Sequence, residues 1–190
     1  MKVKVRKERT VRIDSELWNT SWCLLKAGQE HELGCAHQFR ASLVFTAFAL
    51  EAYLNHIGAR LFKSWEKIER KLTPTEKLSL LCEQLQVSID WSARPWQTVK
   101  DLFRFRNTVA HGRGEALVEE YLDSHDRYLK KFYEIPQAVW EKFASQAAAI
   151  RAREDVERLA ESLHASSGRL QDLPFMPGAQ TGSAGPAEGR

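Results

Sequence analysis

Apolar residues recur along the middle of this chain at alternating spacings of four and three: Leu43, Ala47, Leu50, Leu54, Ile57 and Leu61. That rhythm matches the turn of an α-helix, so one long helix is expected from about Ala36 to Phe62. A second row, Val44, Phe48, Ala52 and Ala59, widens the apolar arc. Such a helix is buried on more than one side: it is central, or it also meets another subunit. Before it, Asp14 with Ser15 is an N-cap candidate, and Leu17, Trp18, Trp22, Leu24 and Leu25 form one face up to about Glu30. Gly34 separates the two helices.

After the long helix, Thr73-Pro74-Thr75-Glu76 supplies an N-cap, a proline at the first helical position and a glutamate two positions later, the capping-box order. Leu78, Leu81, Cys82 and Leu85 are its inward face. Pro95 opens a further helix packed through Trp96, Val99, Leu102, Phe103 and Phe105, and Gly112 and Gly114 end it. Ala116–Tyr133, with Leu117, Val118, Tyr121, Leu122, Tyr128, Leu129 and Phe132, reads as partly helical. Pro136 precedes a last helix from Gln137 to about His164. The alternating Val3-Lys4-Val5-Arg6 is a basic arm or a short edge strand. From Ala165 the chain is rich in Ser, Gly and Pro, and disorder is expected. The organisation is therefore an arm (1–13), an all-α bundle around the long helix (14–164) and a tail (165–190).

Composition adds limits. The chain has 190 residues, 43% hydrophobic and 28% charged, enough for one domain with a core. No apolar run reaches the roughly 18–20 residues of a membrane helix, and the basic start carries no apolar segment of a secretory signal. Cys23, Cys35 and Cys82 fit no zinc spacing and read as buried reduced thiols, so a cytoplasmic protein without a membrane partner is expected. The formal charge is only +3. Its distribution says more: Lys2, Lys4, Arg6, Lys7, Arg9 and Arg12 cluster at the start, and Arg94, Lys100, Arg104, Arg106 and Arg113 form a second basic group. Basic groups of this kind favour nucleic acid, though a solvated edge is the plainer reading of the first.

The densest chemistry lies in Arg104-Phe105-Arg106-Asn107-Thr108-Val109-Ala110-His111-Gly112-Arg113-Gly114. RNA is cut without a metal when a base takes the proton of the ribose 2′-hydroxyl and an acid protonates the leaving oxygen. Histidine exchanges a proton near neutrality, and arginine stabilises the charge that builds on the phosphate. On a continuous helix, positions five apart are turned by about 140°, so Arg106 and His111 meet only if the helix ends near Ala110. Arg104 shares a face with His111 and is the alternative phosphate ligand, and Arg113 is a further RNA contact. The competing reading makes His111 a helix C-terminal cation beside solvated arginines.

Arg106-Asn107-Thr108-Val109-Ala110-His111 resembles the arginine, polar residue, three residues, histidine signature of HEPN domains. These are small all-α domains of prokaryotic toxins, abortive-infection systems and RNA-processing proteins. Phe45 to Ile57 is similar to the long central helix of one HEPN branch, and the likeness spans about Asp14 to His164. The resemblance implies a homodimer with two signatures facing each other, acting as a metal-independent endoribonuclease without a cofactor. It makes Arg106 and His111 the catalytic pair and Asn107 their support. It fits a toxin or phage-defence effector, with an antitoxin protein as a possible partner. Some HEPN domains only dimerise and bind nucleotides, nucleic acid or partner proteins, and that is the alternative function. A plain helical scaffold is the third.

Glu51 is the one acid between Ala41 and Ala59, beside Leu50 and Leu54. It is either part of an exposed polar stripe or, with Asn55, a group that positions Arg106 or His111 from the neighbouring helix. His56 adjoins Asn55, while His31, His37, His125 and His164 read as surface residues. No cluster has metal-ligand spacing, and neither a phosphate-cradling glycine loop nor a nucleophile elbow occurs. The six tryptophans read as core and interface.

Overall fold

A computed structural model describes residues 3–122, 124, 125, 127, 134–168 and 173–186. The described chain is mostly helical, with one two-stranded sheet. In order it forms β1 (Val3–Arg9), α1 (Ile13–Glu30), α2 (Cys35–Leu61), α3 (Trp65–Ile68), α4 (Pro74–Leu85) and α5 (Trp96–His111). Then come α6 (Val139–Phe143), α7 (Gln146–Ser166) and β2 (Gln180–Pro186).

The long helix α2 is the axis of the fold. It packs along α1 and also against α3, α4, α5 and α7. Leu43, Ala47, Leu50 and Leu54 are fully buried as the spacing predicts, and Ala49 and Tyr53 join them. Its wide apolar arc is therefore absorbed largely inside one chain. The exception is the row containing Val44 and Phe48, which stays partly exposed, with Phe48 at 36%. One buried hydroxyl is satisfied across the α1–α2 contact: Ser42 Oγ donates to the Ser21 carbonyl at 2.8 Å. The short α3 lies outside the periodic pattern. Trp65 buries there against Gly58, where a Cβ would stand 2.2 Å from the indole ring.

The capping box of α4 forms as the sequence predicts. Thr73 N donates to Glu76 Oε2 at 2.7 Å, and Glu76 N donates to Thr73 Oγ1 at 3.3 Å. All five predicted packing residues of α5 are buried. At its entrance Arg94 grips Asp155 of α7 with two bonds, Nε to Oδ2 at 2.7 Å and NH2 to Oδ1 at 2.9 Å. Arg94 thus anchors the start of α5 rather than joining a basic group around His111. Gly112 ends α5, and a Cβ there would lie 2.5 Å from the Thr108 carbonyl oxygen.

Several expectations are corrected. Asp14 is not an N-cap: α1 starts at Ile13, and Asp14 is a buried partner of Arg12, whose NH2 donates to Oδ2 at 2.6 Å. A lone carboxylate there would be costly without that guanidinium. The last helix is two, because Ser145 Oγ accepts from Ala148 N and starts α7 afresh. Residues 112–122 carry no regular structure and are exposed, but His125 and Arg127 are helical, so Ala116–Tyr133 is helical in part as expected; Tyr128, Leu129, Phe132 and Tyr133 lie outside the described residues. Of the cysteines only Cys82 is buried, and burial pushes its thiol up to about 12; Cys35 is half-buried and Cys23 exposed. His164 is buried at 6% exposure, unlike the other three histidines read as surface.

The tail departs furthest from expectation. α7 runs on to Ser166, and β2 pairs antiparallel with β1 from Val3↔Pro186 to Arg9↔Gln180. Between them, Phe175 buries against Trp18, with centroids 4.3 Å apart and rings nearly parallel, and against Tyr53 at 5.2 Å. Arg153 of α7 lies 3.7 Å from the centre of the same Trp18 ring, a cation–π contact. One aromatic residue with a ready-made cleft orders a segment whose composition alone does not. Phe175→Ala should therefore destabilise the chain by about 3 kcal/mol, as for other buried aromatics, read from urea midpoints. A shift within about 0.5 kcal/mol would mark the tail as undocked.

Candidate active site

The sequence signature falls on the last two turns of α5. Lys100, Arg104, Asn107 and His111 follow at spacings of four, three and four, which puts them on one stripe of that helix. At a 1.5 Å rise per residue the stripe extends about 16 Å. With Thr73 and Thr75 at the start of α4, it lines an open groove of about 980 Å³. Arg106 lines the same groove although it sits off the stripe. The helix runs one residue further than expected, through His111, yet Arg106 and His111 still share a concave surface. His111 is exposed, not buried and held by backbone.

Arg106 is turned toward α2, and three groups fix it there. Its NH2 donates to Glu51 Oε2 in a short contact, and its NH1 donates to Asn107 Oδ1 at 2.8 Å. The Phe48 ring lies 5.4 Å from its guanidinium carbon. Its Nε is buried without a partner among the described residues. Glu51 is therefore no member of a solvated stripe: its side chain is 23% exposed, and its other oxygen accepts from Lys77 Nζ at 2.9 Å. The arrangement of Lys77, Glu51 and Arg106 carries two positive charges against one negative. Arg106 thus keeps a net cationic environment while its position is locked. A guanidinium has five donors, and Glu51 and Asn107 take one each, so donors remain for a phosphate.

The structure brings together Arg104, Arg106, Asn107 and His111, with Glu51 behind them. It does not bring Asn55 into that set. Asn55 lies one turn along α2 from Glu51 but bonds to neither Arg106 nor His111, and its Oδ1 is buried without a partner among the described residues. Arg113 is exposed beyond the helix and does not line the groove. His56 lies against a separate small cavity with His164. Lys77 escaped the sequence reading, although it is only 4% exposed. A signal was present: it falls four residues before Leu81 and eight before Leu85, on the inward row of α4.

Among the described residues no three His, Cys, Asp or Glu side chains converge as a metal site, and no helix is long and apolar enough to cross a membrane. No protein-family model matches this chain, and no curated protein or solved structure matches it significantly.

The shared carboxylate yields a stability test. Glu51→Ala leaves two buried or half-buried cations facing each other and should cost about 3 kcal/mol. Adding Lys77→Met to that variant should recover part of the loss, since an unpaired ammonium in the core is the largest penalty. Denaturant midpoints of the single and double variants measure both effects. Equal stability of Glu51→Ala and the unaltered chain would place Glu51 outside any structural network.

Proposed function

We propose that this chain is an endoribonuclease of HEPN type, a helical bundle that cuts RNA without a metal ion and works as a homodimer. The observation that carries the reading is the joint placement of Arg106 and His111 on one open groove, with Arg106 held in position by the Glu51 carboxylate that Lys77 shares. The supporting residues are Asn107 and Glu51, and Arg104 is a second phosphate contact. The biological role that goes with such an activity is that of a toxin or phage-defence effector, restrained by an antitoxin protein.

In the reaction, His111 of one protomer takes the proton of the ribose 2′-hydroxyl. The 2′-oxygen bonds to phosphorus and the bond to the 5′-oxygen breaks. A second histidine, His111 of the other protomer, protonates the leaving 5′-oxygen, so protons balance across the twofold axis. Arg106 stabilises the charge on the non-bridging oxygens. The dimer has a source beside the signature: Val109, Leu117, Val118, Tyr121 and Leu122 are all exposed, Leu122 completely. Such a run of apolar side chains suits a contact with a second copy.

A second reading keeps the groove and drops the chemistry. Arg106 spends two donors on its own chain, and among the described residues His111 has no hydrogen-bond partner to orient it. Both facts suit a module that binds nucleotides, nucleic acid or a protein partner without cutting.

Two measurements separate these readings. Purified protein incubated with RNA in excess chelator should leave 2′,3′-cyclic phosphate and 5′-hydroxyl ends. His111→Ala and Arg106→Ala should each slow cleavage by at least about 100-fold, and Arg104→Ala should weaken binding most visibly at low salt. Deoxyribose at the cut position should stop the reaction. Binding without cleavage would favour the module, and dependence on Mg²⁺ would overturn the mechanism.

Light scattering at micromolar concentration should give twice the chain mass. Val118→Asp with Leu122→Asp should halve it and abolish cleavage together. A monomeric, active chain would refute the two-protomer mechanism.

A further inference from the structure

A second concavity of about 330 Å³ adjoins the groove, and Arg104 and Thr108 line both. Its chemistry is the opposite of its neighbour's. Asp101 of α5 and Glu115 beyond it supply two carboxylates, while Trp140 and Phe143 of α6 supply an aromatic wall. The wall is held in place: the Phe143 ring packs 5.2 Å from the Phe105 ring, and the Arg40 guanidinium lies 5.0 Å from the Trp140 ring. Among the described residues neither Asp101 nor Glu115 has a hydrogen-bond or ion-pair partner.

We infer that this concavity is a nucleobase subsite selective for guanine, next to the phosphate that the groove holds. The inference rests on the nuclease reading for its location and on the pocket's own residues for its selectivity. Two carboxylates repel a phosphate, so the backbone stays in the cationic groove while a neutral, flat group enters the aromatic side. Stacking on Trp140 or Phe143 suits any base. The carboxylates choose among them. Guanine offers two adjacent donors on one edge, N1–H and the N2 amino group, which match the two oxygens of a carboxylate. Adenine and cytosine put a ring nitrogen acceptor beside their amino group, and uracil flanks its N–H with two carbonyl oxygens. Each of those sets an acceptor against a carboxylate. Arg104, between the two concavities, then contacts the phosphate joining the selected nucleoside to the scissile position.

The test uses the full chain and short labelled oligonucleotides, identical but for one base, in a non-cleavable deoxy form and a cleavable ribo form. In fluorescence anisotropy the guanine oligonucleotide should bind at least about 10-fold more tightly than the adenine one. Inosine, which lacks the N2 amino group, should fall between them. Glu115→Gln and Asp101→Asn should each move the guanine-to-adenine ratio toward one, and Trp140→Leu should weaken binding of every base. Glu115 is exposed, so its variant carries no risk of misfolding from a lost core contact. Equal binding of all bases, or a guanine preference that survives both carboxylate variants, would overturn the subsite. The ribo series is read separately. Cleavage without base preference leaves the nuclease standing and removes the subsite, whereas guanine-selective binding without cleavage keeps the subsite and removes the nuclease.

Discussion

The Glu51 carboxylate is the point on which the candidate site depends. One oxygen is held by Lys77 from α4 and the other by Arg106 from α5, so a single side chain of α2 fastens both walls of the groove. The cations need the carboxylate because each is largely withdrawn from water. The carboxylate in turn fixes where the guanidinium stands. Shared between two partners, it cannot cancel the charge of either completely. A one-to-one pair in the same place would hold Arg106 as firmly but leave it neutral overall. Here the same contact that shapes the groove also keeps it attractive to an anion.

The two concavities flanking Arg104 divide the surface of α5 by charge. Lys100, Arg104 and His111 follow the helix on the groove side, and Asp101 lies on the other with the aromatic residues of α6. A helix only 16 residues long thus carries a basic stripe on one side and Asp101 on the other, with Arg104 lining both concavities. A clamp between Arg94 and Asp155 holds the start of this helix against α7. Burial alone pushes the Asp155 carboxyl up, but hydrogen bonds from Arg94 and Thr98 and the nearby guanidinium charges bring it below the usual carboxylate range. With a depressed folded pKa, the contribution of this clamp to stability is present at neutral pH and is lost as acid protonates the carboxyl.

Periodicity made the helices legible, because core positions follow the helical turn. The buried rows of α2, α4 and α5 and the capping box at Thr73 could all be read from spacing. The unread features depend on distant residues. Glu51 could be singled out as an acid on an apolar helix, but its partner Lys77 is 26 positions away, and no local pattern joins them. Asn55 shares the helical spacing with Glu51 yet takes no part in the contact, which shows how little a shared face says about side-chain partners. The tail looked disordered because its composition is poor in apolar residues. Phe175 is the exception, and its cleft between Trp18 and Tyr53 exists only once α1 and α2 are packed. The break at Ser145 was legible in principle, since serine is a strong N-cap, but an alanine-rich surrounding masked it.

The pairing of β1 with β2 has a topological consequence. Val3 stands opposite Pro186, so the two ends of the described chain emerge side by side at one edge of the molecule. The described chain, from Val3 to Pro186, is in effect a nearly closed ring. A short linker across that gap would join the ends, and new ends opened within residues 112–122, which are exposed and carry no regular structure, would cut no helix.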